Sequence, residues 1–126
     1  MTRRALIEHY FDAINNERWA DLGALFTASG TYTTMGLPPC HGREQVIGCF
    51  TSLFRAWETH LDTPHDFIVD GDRAAVKVVF TGRSTRGHDI AFDAVDVFAF
   101  EGDSIAELTT WYDRQALNQM LRTPQG

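Results

Sequence analysis

Apolar residues recur at helical spacing in the first stretch of the chain. Leu6, Ile7, Tyr10, Phe11 and Ile14 predict a helix from residue 3 to about 15. Thr2 can cap its start, and Asn15-Asn16 ends it. A second short helix is predicted from about Trp19 to Phe26. Gly30 then introduces Thr31-Tyr-Thr-Thr-Met35, a β-prone run that Gly36-Leu-Pro-Pro39 breaks. Gly42-Arg-Glu opens a third helix, whose stripe is Val46, Ile47, Phe50, Leu53, Phe54 and Trp57, with Pro64 marking its exit. The rest reads as strands at 65–70, 74–83, around Asp96 and from Ile105 to Tyr112. The turns between them are Asp70-Gly-Asp-Arg, Arg86-Gly-His and Glu101-Gly-Asp. Residues 114–121 predict a short terminal helix, and Pro124 and Gly126 a frayed end. Helices first and an antiparallel meander afterwards predict an α+β domain with helices packed on one sheet face.

One segment breaks the pattern. In Phe92-Asp-Ala-Val-Asp-Val-Phe-Ala-Phe100, alternation puts Ala94, Asp96, Phe98 and Phe100 on one face and Val95, Val97 and Ala99 on the other. Neither face suits water. A carboxylate there must be hydrogen-bonded, paired or protonated, and these conditions turn a carboxylic acid into a catalyst.

Composition narrows the function classes. The chain has 126 residues, which suits one domain over 1–126, and nine Phe, three Trp and three Tyr give it material for a core and a pocket lining. A net charge of −6 argues against nucleic acid and anionic membranes as partners. The N-terminus carries Glu8 and Asp12 and no apolar leader segment, and no run is long enough to span a bilayer. Cys40 and Cys49 form no motif and read as a reduced pair. The expectation is a soluble cytoplasmic protein. Lys77 is the single lysine and lies among valines, which leaves no Schiff-base candidate. His9, His41, His60 and His88 lack ligand spacing, so no metal is expected. No phosphate loop, dinucleotide fingerprint or nucleophile elbow is present, so no cofactor is expected either.

In order and spacing, Tyr10-Phe-Asp-Ala-Ile-Asn15, Asp21-Leu-Gly-Ala-Leu-Phe26, His41-Gly-Arg-Glu44, Val69-Asp-Gly-Asp72, Val95-Asp-Val-Phe-Ala-Phe100 and Ile105-Ala-Glu-Leu108 resemble the NTF2-like superfamily. Within it, the resemblance is to the SnoaL-like and ketosteroid-isomerase-like small enzymes. It implies a cone, with a strongly bent, mostly antiparallel sheet wrapped around three N-terminal helices and a deep pocket inside. It also implies a homodimer formed through the outer sheet face, consistent with apolar Val95 and Val97. The fold hosts isomerases, dehydratases, epoxide hydrolases, cyclases and binders, so the resemblance does not select a reaction.

The resemblance also implies site residues. Tyr10 matches the tyrosine, and Asp96 the protonated aspartic acid, of the isomerases' oxyanion hole. The isomerases' base position falls near Thr34, and the acid of cyclases and epoxide hydrolases near Thr110. Neither is charged: the first absence argues against a steroid isomerase, and the second argues against a direct copy of the cyclase or epoxide hydrolase reaction. Asp113 is expected at the end of the last strand. His65, where dehydratases place a histidine, is the candidate proton shuttle. The pocket wall is expected to include Thr34, Met35, Phe54, Trp57, Phe80, Phe98, Leu108, Thr110 and Tyr112, a lining for a flat hydrophobic ligand carrying a few oxygens. Each candidate has a plainer alternative: Tyr10 as a core aromatic, Asp96 as a structural carboxylate tied to an arginine or a helix end, His65 as a rim residue. Three functions follow. One is a cofactor-independent cyclase, isomerase or dehydratase acting on a hydrophobic molecule with a carbonyl, hydroxyl or epoxide. The second is a ligand-binding or dimerisation module without chemistry. The third, from fold analogy alone, is a protein-transport adaptor.

Overall fold

The computed structural model describes residues 1–123; Pro124 and Gly126, expected to fray, lie outside the described residues. The elements are α1 (Arg3–Asn15), α2 (Trp19–Ala24), β1 (Phe26–Thr34), β2 (Cys40–His41), α3 (Arg43–Phe54), β3 (Trp57–Asp70), β4 (Arg73–Ser84), β5 (Asp89–Glu101), β6 (Ser104–Tyr112) and α4 (Arg114–Arg122). The strands form one mixed sheet in the order β2-β1-β6-β5-β4-β3. All neighbours are antiparallel except β1 and β6. The α+β class follows, with α1 and α2 before β1 and α3 before the meander of β3 to β6.

Helix α1 forms where the apolar spacing predicts. Thr2 caps it, its hydroxyl accepting from the Ala5 amide at 3.0 Å. Leu6, Ile7, Tyr10, Phe11 and Ile14 are all buried on one side. That side packs on the inner face of the sheet, where Val76, Phe98, Ile105 and Leu108 are fully buried. Helix α3 contributes Val46 and Phe50 to the same core.

The long strand β3 departs from the sequence reading. The third helix stops at Phe54, and Trp57 opens a strand that runs without interruption through Pro64 to Asp70. Proline usually breaks a sheet because it lacks an N–H donor. Here it is tolerated because β3 is the edge strand, with a bulge between Pro64 and Asp66. Strand β1 also starts earlier than its β-prone run, at Phe26, with a register irregularity between Phe26 and Thr31 against β6. Met35 falls in the turn after β1, not on the strand. Gly36 in that turn has φ +82, a left-handed conformation that favours glycine, and lies against the Arg114 side chain. Asp113 ends β6 by capping α4, accepting from the Ala116 amide at 2.9 Å.

Candidate active site

Alternation along the strands sorts the polar residues. On β5, Ala94, Asp96, Phe98 and Phe100 are buried on the inner face, while Val95, Val97 and Ala99 are half-buried on the outer one. In register, Asp96 lies opposite Thr110 of β6, which in turn lies opposite Thr34 of β1. The next row holds Tyr32, Leu108, Phe98 and Ala74. A band of hydroxyl and carboxyl groups therefore crosses the inner face just beside an apolar row.

Asp96 is 5% exposed. The Thr110 hydroxyl donates to its Oδ1 at 2.5 Å. That donation leaves Thr110 Oγ1 free to accept from the Tyr32 hydroxyl, 3.2 Å away. Among the described residues no arginine, lysine or helix end pairs with Asp96. Burial accordingly pushes its pKa up to about 7, only partly offset by the Thr110 bond. The structural-carboxylate alternative, which required such a partner, therefore lacks its support.

Tyr10 reaches the same interior from α1. Its ring meets Phe98 edge-on at 5.3 Å and Phe11 at 5.0 Å. Burial, and next the charge of Asp96, hold its phenol well above the ordinary range, so it stays a neutral hydrogen-bond donor. Tyr32 is raised by the same two causes.

A second carboxyl was not singled out from the sequence. Asp62 of β3 is raised to about 7, by burial first and then by the negative charge of Asp96. Its backbone is clamped to the end of α1: Asn15 Nδ2 donates to the Asp62 carbonyl at 2.9 Å, and the Asp62 amide donates to Asn15 Oδ1 at 2.8 Å. The influence runs one way: the charge of Asp96 adds to the rise of Asp62, whereas Asp96 is raised by burial alone.

The expected wall residues divide. Trp57, Phe80, Phe92 and Tyr112 form a continuous aromatic row, with ring centroids 4.7, 4.8 and 5.3 Å apart. Thr34, Phe98 and Leu108 are buried further along the same sheet face. Phe54 stands apart from that row, against Trp19 at 5.6 Å and His60 at 4.4 Å. Met35 is half-buried in its turn.

The structure separates His65 from the other candidates. It is exposed on the outer sheet face, at the β3 bulge, and lines a surface groove of about 440 Å³ with Lys77, Asp93, Val95 and Trp111. The bulge shifts the alternation by one residue, so the histidine after Pro64 turns outward. It does not face Asp96. Had 57–70 been read as a strand, alternation would have put His60 and Asp62 on the inner face together, so the signal was present in the sequence.

Among the described residues no helix is long and apolar enough to cross a membrane. Nor, among those residues, do three His, Cys, Asp or Glu side chains gather as a metal ion would require.

N-terminal helices packed on a six-stranded mixed, mostly antiparallel sheet define the NTF2-like, ketosteroid-isomerase-like fold. Residues 7–108 match the SnoaL-like domain, and the chain belongs to that family. No curated protein matches the chain. Several solved structures share its fold. An NTF2-like protein of unknown function from Burkholderia pseudomallei is 15% identical with TM-score 0.90, over 98% of this chain and 100% of its own. A Catenulispora acidiphila protein with a ketosteroid isomerase-like fold, solved with trimethylamine, is 21% identical with TM-score 0.89, over 98% and 96%. A Jannaschia sp. CCS1 protein described as a candidate SnoaL-like polyketide cyclase is 18% identical with TM-score 0.87, over 96% and 92%. At such identities the likeness is one of fold.

Proposed function

We propose that this chain is a cofactor-independent acid/base enzyme of the cyclase, isomerase or dehydratase type. Its substrate is a hydrophobic small molecule bearing a carbonyl, hydroxyl or epoxide oxygen, such as a polyketide-like intermediate. The observation that carries this reading is Asp96, a buried carboxyl with a threonine hydroxyl and no cation as its partner, raised to about 7. In its protonated form it donates, with Tyr10, to a substrate oxygen and stabilises the charge that develops there. Asp62, in its ionised form, takes a proton from the adjacent carbon or hydroxyl, the role that the sequence had placed on His65. The aromatic row from Trp57 to Tyr112 receives the flat apolar body of the ligand. The candidate cyclase from Jannaschia supports the reading at the level of fold.

A non-catalytic binding or dimerisation module is the second reading. It is favoured by the close filling of the interior around the acid, where Tyr10 is 2% and Phe98 and Leu108 are 0% exposed.

One assay separates the two without knowledge of the natural substrate. Exchange of the α-protons of 2-tetralone in D₂O is followed by NMR. The enzyme reading expects saturable acceleration over buffer, reduced on the order of 100-fold or more in Asp96→Asn. Saturable binding with no acceleration favours the module, and full acceleration in Asp96→Asn removes Asp96 from the chemistry.

A further inference from the structure

The polar groups of the interior do not end with Asp96, Tyr10 and Asp62. Two residues before Asp62 on the same strand, and on the same face, stands His60. Its side chain is 5% exposed, and its Nδ1 is buried with no hydrogen-bond partner among the described residues. Buried polar nitrogens are nearly always satisfied, so this one calls for an explanation.

The surroundings of the ring decide what Nδ1 can do. Its other nitrogen, Nε2, lies 3.8 Å from Glu17 Oε2. A carboxylate on that side favours the tautomer with the proton on Nε2, which leaves Nδ1 as an acceptor. Burial pushes the His60 pKa down against the opposing pull of Glu17, so the ring is neutral near pH 7.

Glu17 is placed there by the backbone. The double hydrogen bond between Asn15 and Asp62 fixes the end of α1 against β3. Two residues on from Asn15 is Glu17; two residues back from Asp62 is His60. The intervening loop is held by Glu17 N–H donating to Ile14 O at 3.0 Å and Arg18 N–H to Ala13 O at 2.8 Å. Glu17 itself sits at φ 53, a left-handed conformation that is unfavourable for a non-glycine residue and is kept in this loop.

We infer that His60 forms a second polar pole of the same interior, with the Glu17 carboxylate, 58% exposed at the rim and 3.8 Å from Nε2, biasing the ring electrostatically so that Nδ1 accepts a hydrogen bond from a hydroxyl of the ligand. This rests on the proposed function in one respect, that a ligand enters the inner face. It specifies the ligand further. A hydrophobic molecule with a carbonyl oxygen for Tyr10 and Asp96 also carries a phenolic or enolic hydroxyl at the far end, toward β3. The ring that must give way is Phe54, half-buried at the last position of α3 and 4.4 Å from the imidazole. His60 is thus a binding and orienting residue for a hydroxylated substrate, and Glu17 biases its tautomer.

The test uses the intact protein and two probes, 2-naphthol and 2-methoxynaphthalene, which differ in having or lacking the hydroxyl proton. Titration calorimetry is expected to show 2-naphthol bound about tenfold more tightly, the difference one hydrogen bond to a buried acceptor supplies. That preference is expected to vanish in His60→Phe and to persist in Asp96→Asn. Long-range ¹H–¹⁵N spectra are expected to show His60 as the Nε2–H tautomer, with its Nδ1 resonance moving when 2-naphthol, but not the ether, is added. A preference that survives in His60→Phe, or a proton found on Nδ1 in the free protein, overturns the inference and leaves the Asp96 reading standing. Failure of both probes to bind overturns both.

Discussion

The chemistry of Asp96 has a thermodynamic signature. An ordinary aspartic acid titrates near pH 4, whereas Asp96 is raised to about 7 by burial. Between those values the native state holds a proton that the unfolded chain has released. Stability that Asp96 allows is fully present below about pH 4 and is lost as pH rises through about 7. Replacing Asp96 by Asn removes that dependence and keeps a side chain that can accept from Thr110. The expected result from urea unfolding is that Asp96→Asn gains on the order of 2–4 kcal/mol on wild type between pH 4 and pH 8. Parallel stability curves across that range would mean that position 96 holds no raised acid. Asp62 acts in the same direction, but part of its residue remains in solvent, so the comparison uses Asp96 alone. At this scale the sequence was informative where a charge interrupts an apolar alternation. Asp96 stands out among Ala94, Phe98 and Phe100. Asp62 does not stand out, because its neighbours Thr59, Leu61, Thr63 and Asp66 are mixed on both sides of an edge strand.

Among the elements, α1 and β3 carry the site between them, and their joint is Asn15. Its amide makes both hydrogen bonds that clamp the Asp62 backbone, in a partly buried place. Asn15→Ala is expected to cost about 1–3 kcal/mol of stability, because it leaves a backbone N–H and C=O unsatisfied. Chemical denaturation measures this, and a loss below about 0.5 kcal/mol would mean that the joint is dispensable. Helix α1 was legible because its apolar face recurs with helical period and both ends carry recognisable signals, Thr2 and Asn15-Asn16. Strand β3 was not. Trp57 continues the α3 stripe in sequence, and Pro64 imitates a helix exit, whereas the chain in fact leaves the helix at Arg55 and tolerates proline at an edge. The misplaced boundary moved the proposed base from the inner face to the outer, since a strand exchanges faces at every residue and again at the bulge.

In the whole molecule, the inner and outer sheet faces differ in composition and exposure. The inner one holds the acid. The outer one exposes Trp111 at 53%, Ile68 at 60% and Leu61 at 48%, beside half-buried Val95 and Val97. Apolar groups so placed suit a second copy of the chain, the partner the resemblance implies, with Lys77 and Asp93 in the same groove able to pair across a two-fold axis. Sedimentation velocity is expected to show a dimer for wild type and a monomer for Trp111→Glu; a wild-type monomer at tens of micromolar would contradict that partner. The proposed chemistry depends on the state of one carboxyl in the folded protein, and a ¹³C NMR titration of the Asp96 side-chain carbon reads it directly. The predicted midpoint is about pH 7. A midpoint of about pH 4, as for an aspartate in water, would contradict it.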